Sequence, residues 1–219
     1  IYIIAMAMTF FFRQFDYSRV VLVYSVGKTM VCMMAGAMFS MSGCSAEDGS
    51  PAAKVAAEPA KVLIAYYSWS GNTRAAAEQI QKITGGTLFE IKPVKAYPTD
   101  YQECVDQAKK ECRSGFKPEL STKVDDMQKY DVIFVGSPNW WGTMAPPVAT
   151  FLTSYDLKGK TVVPFFTHGG GGVQNCERDV RKLCSGSNLP QAGVFSGGSV
   201  RRSGDAIANW VSKVVTVKK

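Results

Sequence analysis

The sequence has few of the side chains on which hydrolytic and metal-dependent enzymes rely. It contains a single histidine, His168, among 219 residues. Ser68 and Ser70 do not stand in the G-x-S-x-G elbow that exposes a nucleophilic serine. No pair of carboxylates flanks the turn that carries these serines. We therefore predict no catalytic triad and no metal site, and we interpret His168 as a loop or ligand-edge residue.

Two common nucleotide-binding patterns are also missing. Neither the Walker loop, which needs a lysine and a hydroxyl after glycine, nor G-x-G-x-x-G follows any apolar run. A phosphoryl-transfer enzyme and a protein with its own nicotinamide-binding motif are thus disfavoured. The net charge is +7, but no basic stripe interleaves with aromatic residues, so we predict no binding to nucleic acid.

Residues 1–27 lack both an initiating methionine and an apolar run long enough to span a bilayer comfortably, which takes about 20 residues, and we interpret them as upstream sequence translated from a misplaced start. Lys28, the apolar segment Met30 to Met41 and the small residues before Cys44 resemble a bacterial lipoprotein signal. The resemblance makes Cys44 the lipidated first residue of an exported, membrane-anchored protein. A short core helix is the alternative interpretation.

The domain boundaries follow from this interpretation. Residues 1–43 would be an upstream segment and signal peptide, and residues 44–60 a tether rich in Ser, Ala, Pro and Glu without an apolar face. The remainder, residues 61–219, would form one domain.

Four cysteines fall within that domain, at positions 104, 112, 176 and 184. Cys104 and Cys112, like Cys176 and Cys184, are eight residues apart in helical patterns, so each pair would be about 12 Å apart and beyond bridging distance. The other pairings stay open, as does the alternative that all four are small buried residues.

From Lys61 onward, apolar runs alternate with helical patterns. The predicted strands are Val62–Tyr67, Thr87–Ile91, Asp131–Gly136, Lys160–Phe166 and Ala192–Gly197. Helical patterns lie between them: Ala76, Ile80 and Ile83 mark a first helix that stops at Gly85 and Gly86, and three further helices run from about Thr99 to Arg113, Pro146 to Tyr155 and Val173 to Leu183. Ile207, Trp210, Val211 and Val214 mark the last helix, with Ser203 as a candidate cap. This alternation predicts an α/β fold with a parallel sheet and helices on both faces. Ligands of such folds bind at the carboxyl ends of the strands.

Three loops at those ends are unusual. The first, S-W-S-G-N-T, leaves a strand and opens a helix, where hydroxyls, free amides and a glycine can hold a phosphate; a simple helix cap would explain only part of it. The second, S-P-N-W-W-G, has adjacent tryptophans that cannot both point into the core. The third, T-H-G-G-G-G, lets backbone amides approach a flat heterocycle, although a flexible surface loop would also explain its glycines.

Together these loops resemble the flavodoxin-like family, over Lys61 to about Val217. The resemblance implies a three-layer sandwich with strand order 2-1-3-4-5 and FMN as the cofactor. The turn Ser68–Thr73 would hold its phosphate, Pro138–Gly142 would wrap the isoalloxazine, and Thr167–Gly172 would meet its pyrimidine edge. The predicted cofactor-binding residues are Ser68, Trp69, Ser70, Gly71, Asn72, Thr73, Pro138, Asn139, Trp140, Trp141, Gly142, Thr167, His168, Gly169, Gly170 and Gly171.

The resemblance implies an FMN-binding redox protein, either an electron carrier or a reductase of quinone-like acceptors. The basic charge and the export signal depart from the acidic, cytoplasmic carriers of the family and leave the redox partners open. A membrane-anchored binding module that holds another phosphate-bearing or aromatic ligand is the alternative.

Overall fold

The computed structural model describes residues 60–215. The signal-like segment, Cys44 and nearly all of the tether lie outside the described residues, so the predictions made for them stay predictions. Within residues 60–215, no helix has the length and apolarity needed to cross a membrane.

Residues 60–215 form six strands and five α-helices, which alternate except that the third and fourth strands are consecutive. The strands are β1 (Val62–Tyr66), β2 (Thr87–Glu90), β3 (Val132–Trp140), β4 (Thr143–Met144), β5 (Thr161–His168) and β6 (Gly193–Ser196). The helices are α1 (Asn72–Thr84), α2 (Tyr101–Ser114), α3 (Pro146–Thr153), α4 (Cys176–Leu183) and α5 (Gly204–Val214), with a 3-10 turn at Val200–Arg202 before α5.

Five of the strands form a parallel sheet in the order β2-β1-β3-β5-β6. Since β5 and β6 are the fourth and fifth strands expected from the sequence, the predicted order 2-1-3-4-5 is confirmed. The central strands β1, β3 and β5 are nearly continuous apolar runs because both of their faces are buried.

Each face of the sheet has its own hydrophobic core, because successive side chains of a strand point to opposite sides. On one face, β1 and β3 residues such as Leu63 and Ile133 pack with residues of α2, α3 and α4. On the other, Ile64 and Phe134 pack with residues of α1 and α5. This arrangement confirms the three-layer α/β sandwich.

The third strand is longer than the sequence indicated. It was expected to end at Gly136 but continues through Trp140, because Ser137 and Pro138 pair with β5 while Asn139 and Trp140 pair antiparallel with β4. The proline inside this segment, which has no N–H to donate, favours a loop when the sequence is considered alone.

The start of one helix and the cap of another also differ from the expectation. Helix α4 begins at Cys176 rather than near residue 173. Ser203 does precede α5, but its hydroxyl donates to the Ser199 carbonyl at 3.1 Å and does not cap the helix. The predicted stop of the first helix is confirmed, with the Gly85 amide donating to the Gln81 carbonyl at 2.8 Å.

All four cysteines of the domain are free thiols. Cys104, Cys176 and Cys184 are buried on the α2–α4 face, and Cys112 is partly buried. The structure therefore agrees with the interpretation of these residues as small core side chains.

Candidate functional site

The three loops meet at the carboxyl edge of the sheet around one cavity of about 490 Å³. A volume of this size is typical of sites for small molecules and cofactors. Its walls are formed by Trp69, Ser70, Asn72, Tyr101, Cys104, Val105, Ala108, Pro138, Asn139, Trp140, Trp141, Thr167, His168, Gly169, Gly197 and Gly198. No carboxylate is among them.

One end of the cavity is the turn between β1 and α1. Gly71 adopts a left-handed conformation, with φ of 83°, just before the helix. No side chain caps α1, and its first internal bond joins the Ala75 amide to the Gly71 carbonyl at 3.0 Å. Because the first amides of a helix have no partner within it, the turn leaves N–H groups and the positive end of the helix dipole free for an anion. A helix cap formed by one of these side chains is thus excluded.

The hydroxyls of this turn have different environments. The Ser68 Oγ atom is buried and has no hydrogen-bond partner among residues 60–215. A buried hydroxyl without a partner is costly, so a bound ligand oxygen would satisfy it. Ser70 is exposed and lines the cavity, as does the Asn72 side chain.

Thr73 has a structural partner instead. Its hydroxyl lies 2.8 Å from that of Thr167 at the end of β5, and both residues are almost fully buried. This bond ties the first loop to the third. Ser68, Gly71 and Thr73 lie in the turn but do not line the cavity.

The other end of the cavity is aromatic. Trp140, at the end of β3, packs edge-on against Tyr97 and Tyr67, with ring centroids 4.9 and 5.5 Å away. Trp69 donates its indole N–H to the Pro98 carbonyl at 2.9 Å and packs beside Tyr101. These contacts fix flat apolar surfaces in the wall, as a planar ligand requires.

Trp141 forms the rim of this end. With Gly142 it makes a two-residue turn between β3 and β4 in which both φ angles are positive, 51° and 85°. A left-handed tryptophan is unusual and costs roughly 1 kcal/mol or more. The indole is half exposed; it donates to the Val105 carbonyl at 3.1 Å and lies 4.8 Å below the Lys109 ammonium. The two tryptophans therefore do point different ways, as expected.

Asn139 joins the second loop to the third. Its side-chain NH₂ donates to the Gly172 carbonyl at 2.7 Å and to the Gln174 side chain at 3.1 Å, and its oxygen accepts from the Gly142 amide at 3.0 Å. Asn139 thus holds the tryptophan turn against the glycine loop while lining the cavity.

The glycine loop follows directly from β5. The His168 Nδ1 atom accepts a hydrogen bond from the Gly170 amide at 3.1 Å, and the His168 carbonyl accepts from Gly197 at 2.9 Å. His168 and Gly169 line the cavity, whereas Gly170 does not.

A second, more open concavity of about 760 Å³ adjoins the first. It shares Asn139, Trp141, His168 and Gly169 with the main cavity and adds Gly142, Gly171, Gln174 and Asn175. It too contains no carboxylate.

Comparison with known families agrees with this geometry. The family model described as Flavodoxin matches residues 61–214. The chain belongs to the flavodoxin family.

Solved structures similar to this chain support the assignment. A Bacteroides eggerthii structure named as a flavoprotein is 31% identical to this chain and superposes with a TM-score of 0.64. The aligned region covers 72% of this chain and 99% of the Bacteroides chain. A Lactobacillus acidophilus flavoprotein in complex with FMN is 32% identical, covers 65% of this chain and 97% of its own, with a TM-score of 0.53.

A curated relative of Cupriavidus metallidurans is named NAD(P)H dehydrogenase (quinone). It is 34% identical over 98 residues, which are 42% of this chain and 45% of the relative. The match therefore spans less than half of that protein.

The cavity includes residues that reasoning from the sequence missed. Tyr101, Cys104, Val105 and Ala108 of α2 form a wall of the cavity, and Gly197 with Gly198 closes it after β6. The glycine pair at the end of the fifth strand was the one available signal. The α2 residues give none, because their role depends on where the helix packs.

Proposed function

We propose that the cavity binds FMN and that the protein transfers electrons through this flavin. The observation that carries the proposal is that one cavity joins the uncapped start of α1, lined there by Ser70 and Asn72, with a wall of fixed aromatic rings. The unpartnered Ser68 hydroxyl lies in the same turn. The flavoprotein in complex with FMN among the relatives supports the same cofactor.

Each end of the cavity suits one part of FMN. The first-turn amides of α1 and the side chains of Ser68, Ser70 and Asn72 would hold the phosphate. The rings of Trp140 and Trp141 would contact the isoalloxazine, with backbone groups near His168 and Gly169 at its edge. The bound flavin supplies electron and hydride transfer, while the protein binds, orients and shields it.

Reduction of quinone-like acceptors is the activity that we propose. The name of the Cupriavidus metallidurans relative supports it. So does the open concavity beside the proposed flavin site, since it offers room for a second flat molecule next to Trp141 and His168. NAD(P)H would have to use the same open site in turn, because no separate nicotinamide motif is present in the sequence.

Reconstitution with FMN tests the cofactor. Purified protein should take up one equivalent of FMN, acquire the yellow colour of a flavoprotein and bind riboflavin much more weakly in calorimetric titration. Equal affinity for FMN and riboflavin would contradict the phosphate site, and absence of flavin binding would favour a module for another ligand. Steady oxidation of NADH or NADPH with a quinone, absent from the apoprotein, tests the reductase activity.

We also propose that the mature protein is anchored to a bacterial membrane through a lipid on Cys44. The support is the signal-like sequence before this residue. Cys44→Ser should release the protein from the membrane fraction, and mass spectrometry of the wild-type amino terminus without acyl groups on Cys44 would contradict the proposal.

A further inference from the structure

Arg201 occupies a fixed position beside the proposed phosphate site. It is the middle residue of the 3-10 turn Val200–Arg202. The Val200 side chain is fully buried against the α1–α5 core, and the Val200 carbonyl accepts a hydrogen bond from the Gln79 side chain of α1 at 2.8 Å. The turn is therefore fastened to the same helix whose first residues form the phosphate turn.

The Arg201 guanidinium lies against Gly71. Its Nη2 atom is 3.4 Å from the point where a Cβ atom of Gly71 would stand. Gly71 is the left-handed residue immediately before the free amides of α1. A side chain that begins about 130 residues later in the sequence thus reaches the turn that the sequence alone predicts to hold phosphate through hydroxyls, free amides and a glycine.

Nothing in the described part of the chain neutralises this cation. The ion pairs among residues 60–215 involve other basic residues, and the first turn of α1 contains no acidic side chain. A cation beside the positive end of a helix dipole is unfavourable by itself. The buried Ser68 hydroxyl in the same turn has no partner either. One bound anion could both neutralise the Arg201 guanidinium and accept a hydrogen bond from the Ser68 hydroxyl.

We propose that Arg201 is a specificity residue that binds the phosphate of FMN and selects the phosphorylated flavin over riboflavin. This inference rests on the proposed function. A guanidinium can donate two parallel hydrogen bonds to phosphate oxygens, and such charge-assisted bonds are roughly twice as strong as neutral ones. The hydroxyls and amides of the turn orient the phosphate, and Arg201 adds the net charge that opposes the dianion.

Arg202 provides the matched control. It belongs to the same exposed turn and carries the same charge, but only the Arg201 guanidinium lies within 4 Å of the position that a Gly71 Cβ atom would occupy. Arg201→Gln and Arg202→Gln therefore change the net charge equally and differ in the contact. Arg201→Lys keeps the charge but removes the planar two-pronged donor.

The experiment measures FMN and riboflavin affinities of the three variants by calorimetry, at low and high salt. For Arg201→Gln we expect FMN to bind about 10- to 30-fold more weakly than to the wild type, while riboflavin affinity stays unchanged. Added salt should weaken FMN binding less in this variant than in the wild type. Arg202→Gln should change FMN affinity less than about twofold, and Arg201→Lys should fall between.

A purely structural role for Arg201 would give a different pattern. It would lower the unfolding temperature of the apoprotein and weaken FMN and riboflavin alike, whereas our proposal predicts an apoprotein at least as stable as the wild type. Equal effects of Arg201→Gln and Arg202→Gln on FMN affinity would overturn the proposed role of Arg201. They would leave the proposal that the protein binds FMN untouched. A wild-type protein that binds no FMN would overturn the proposed function itself.

Discussion

The two ends of the cavity are built on different principles. The phosphate end, around Ser68, Gly71 and Asn72, consists of free amides, small polar side chains and a nearby guanidinium, and its hydrogen-bonding groups are largely unsatisfied. At the ring end, Trp140 and Trp141 are fixed by aromatic packing and by bonds to neighbouring elements.

This difference separates the end that determines affinity for phosphorylated ligands from the end whose shape is fixed before a ligand binds. The phosphate end gains its interactions only when an anion arrives, whereas the ring end is already stabilised by the protein's own contacts. Changes at the first should therefore alter binding of phosphorylated ligands with little effect on folding. Changes at the second should alter stability and should affect FMN and riboflavin equally.

The largest effect is expected for Trp140→Ala. Removal of this partly buried ring and its contacts with Tyr97 and Tyr67 should lower the free energy of unfolding by about 3 kcal/mol. Urea denaturation of the apoprotein measures it, with Trp141→Ala as the control, since loss of the half-exposed ring should cost about 1 kcal/mol or less. Similar costs for both variants would break the contrast within the ring end.

Ser70→Glu tests the phosphate end. The added carboxylate would face the phosphate dianion, but Ser70 is exposed, so the charge is partly screened. We expect FMN to bind at least about tenfold more weakly, which is roughly 1.4 kcal/mol, with riboflavin affinity and apoprotein stability unchanged. Ser70→Gln is the uncharged control. A parallel loss of riboflavin affinity would show that the two ends are not independent.

Trp141→Asn should separate stability from binding at the rim. An Asn-Gly pair suits a two-residue turn with both φ angles positive. The variant should gain roughly 0.5 kcal/mol in unfolding free energy and lose a few-fold in affinity for FMN and riboflavin alike. Thermal unfolding measures the stability and calorimetry the ligand affinities. A variant that is less stable and binds both ligands unchanged would contradict the strain that we infer at Trp141.

The charge around the ring end should tune reduction of the bound flavin. No carboxylate lines the described cavity, and the Lys109 ammonium lies over the Trp141 ring. The negative charge gained on reduction thus meets little repulsion, and we expect a second one-electron potential less negative than in acidic flavodoxins. Spectroelectrochemical titration should show a second potential more negative than that of the wild type for Lys109→Gln. For Lys110→Gln the potential should hardly change. Identical potentials in all three proteins would exclude this role of Lys109.

The buried thiols should have the smallest effect on stability at neutral pH. They belong to the core under α2, α3 and α4, against which Trp140 also packs. Burial raises the pKa of Cys176 to about 12 and that of Cys184 to about 11, from an ordinary value of 9.0. The unfolded chain therefore releases these protons first, so stability should be unaffected below pH 9 and should decline between pH 9 and 12. Denaturation across this range measures the decline, which Cys176→Ala should flatten. An unchanged slope in that variant would rule out this thiol as the cause.

The sequence predicted the fold well because the strands of a doubly covered sheet are recognisable as apolar runs. It also predicted which loops meet, since the carboxyl ends of parallel strands share one edge. It could not show that Pro138 lies within a strand, because a proline argues against one. Nor could it show that Thr73 bonds to Thr167 rather than standing free, or that Arg201 reaches Gly71. Those facts depend on contacts between distant parts of the chain.

The bond between Thr73 and Thr167 also bears on the order in which the molecule folds. It joins residues 94 positions apart, and closing so long a loop costs more chain entropy than closing a short one. The tryptophan turn between β3 and β4, by contrast, brings together residues that are near neighbours in the chain. We therefore expect the β3–β4 turn to form early in folding and the bond between Thr73 and Thr167 to form late, when β5 has docked beside β3.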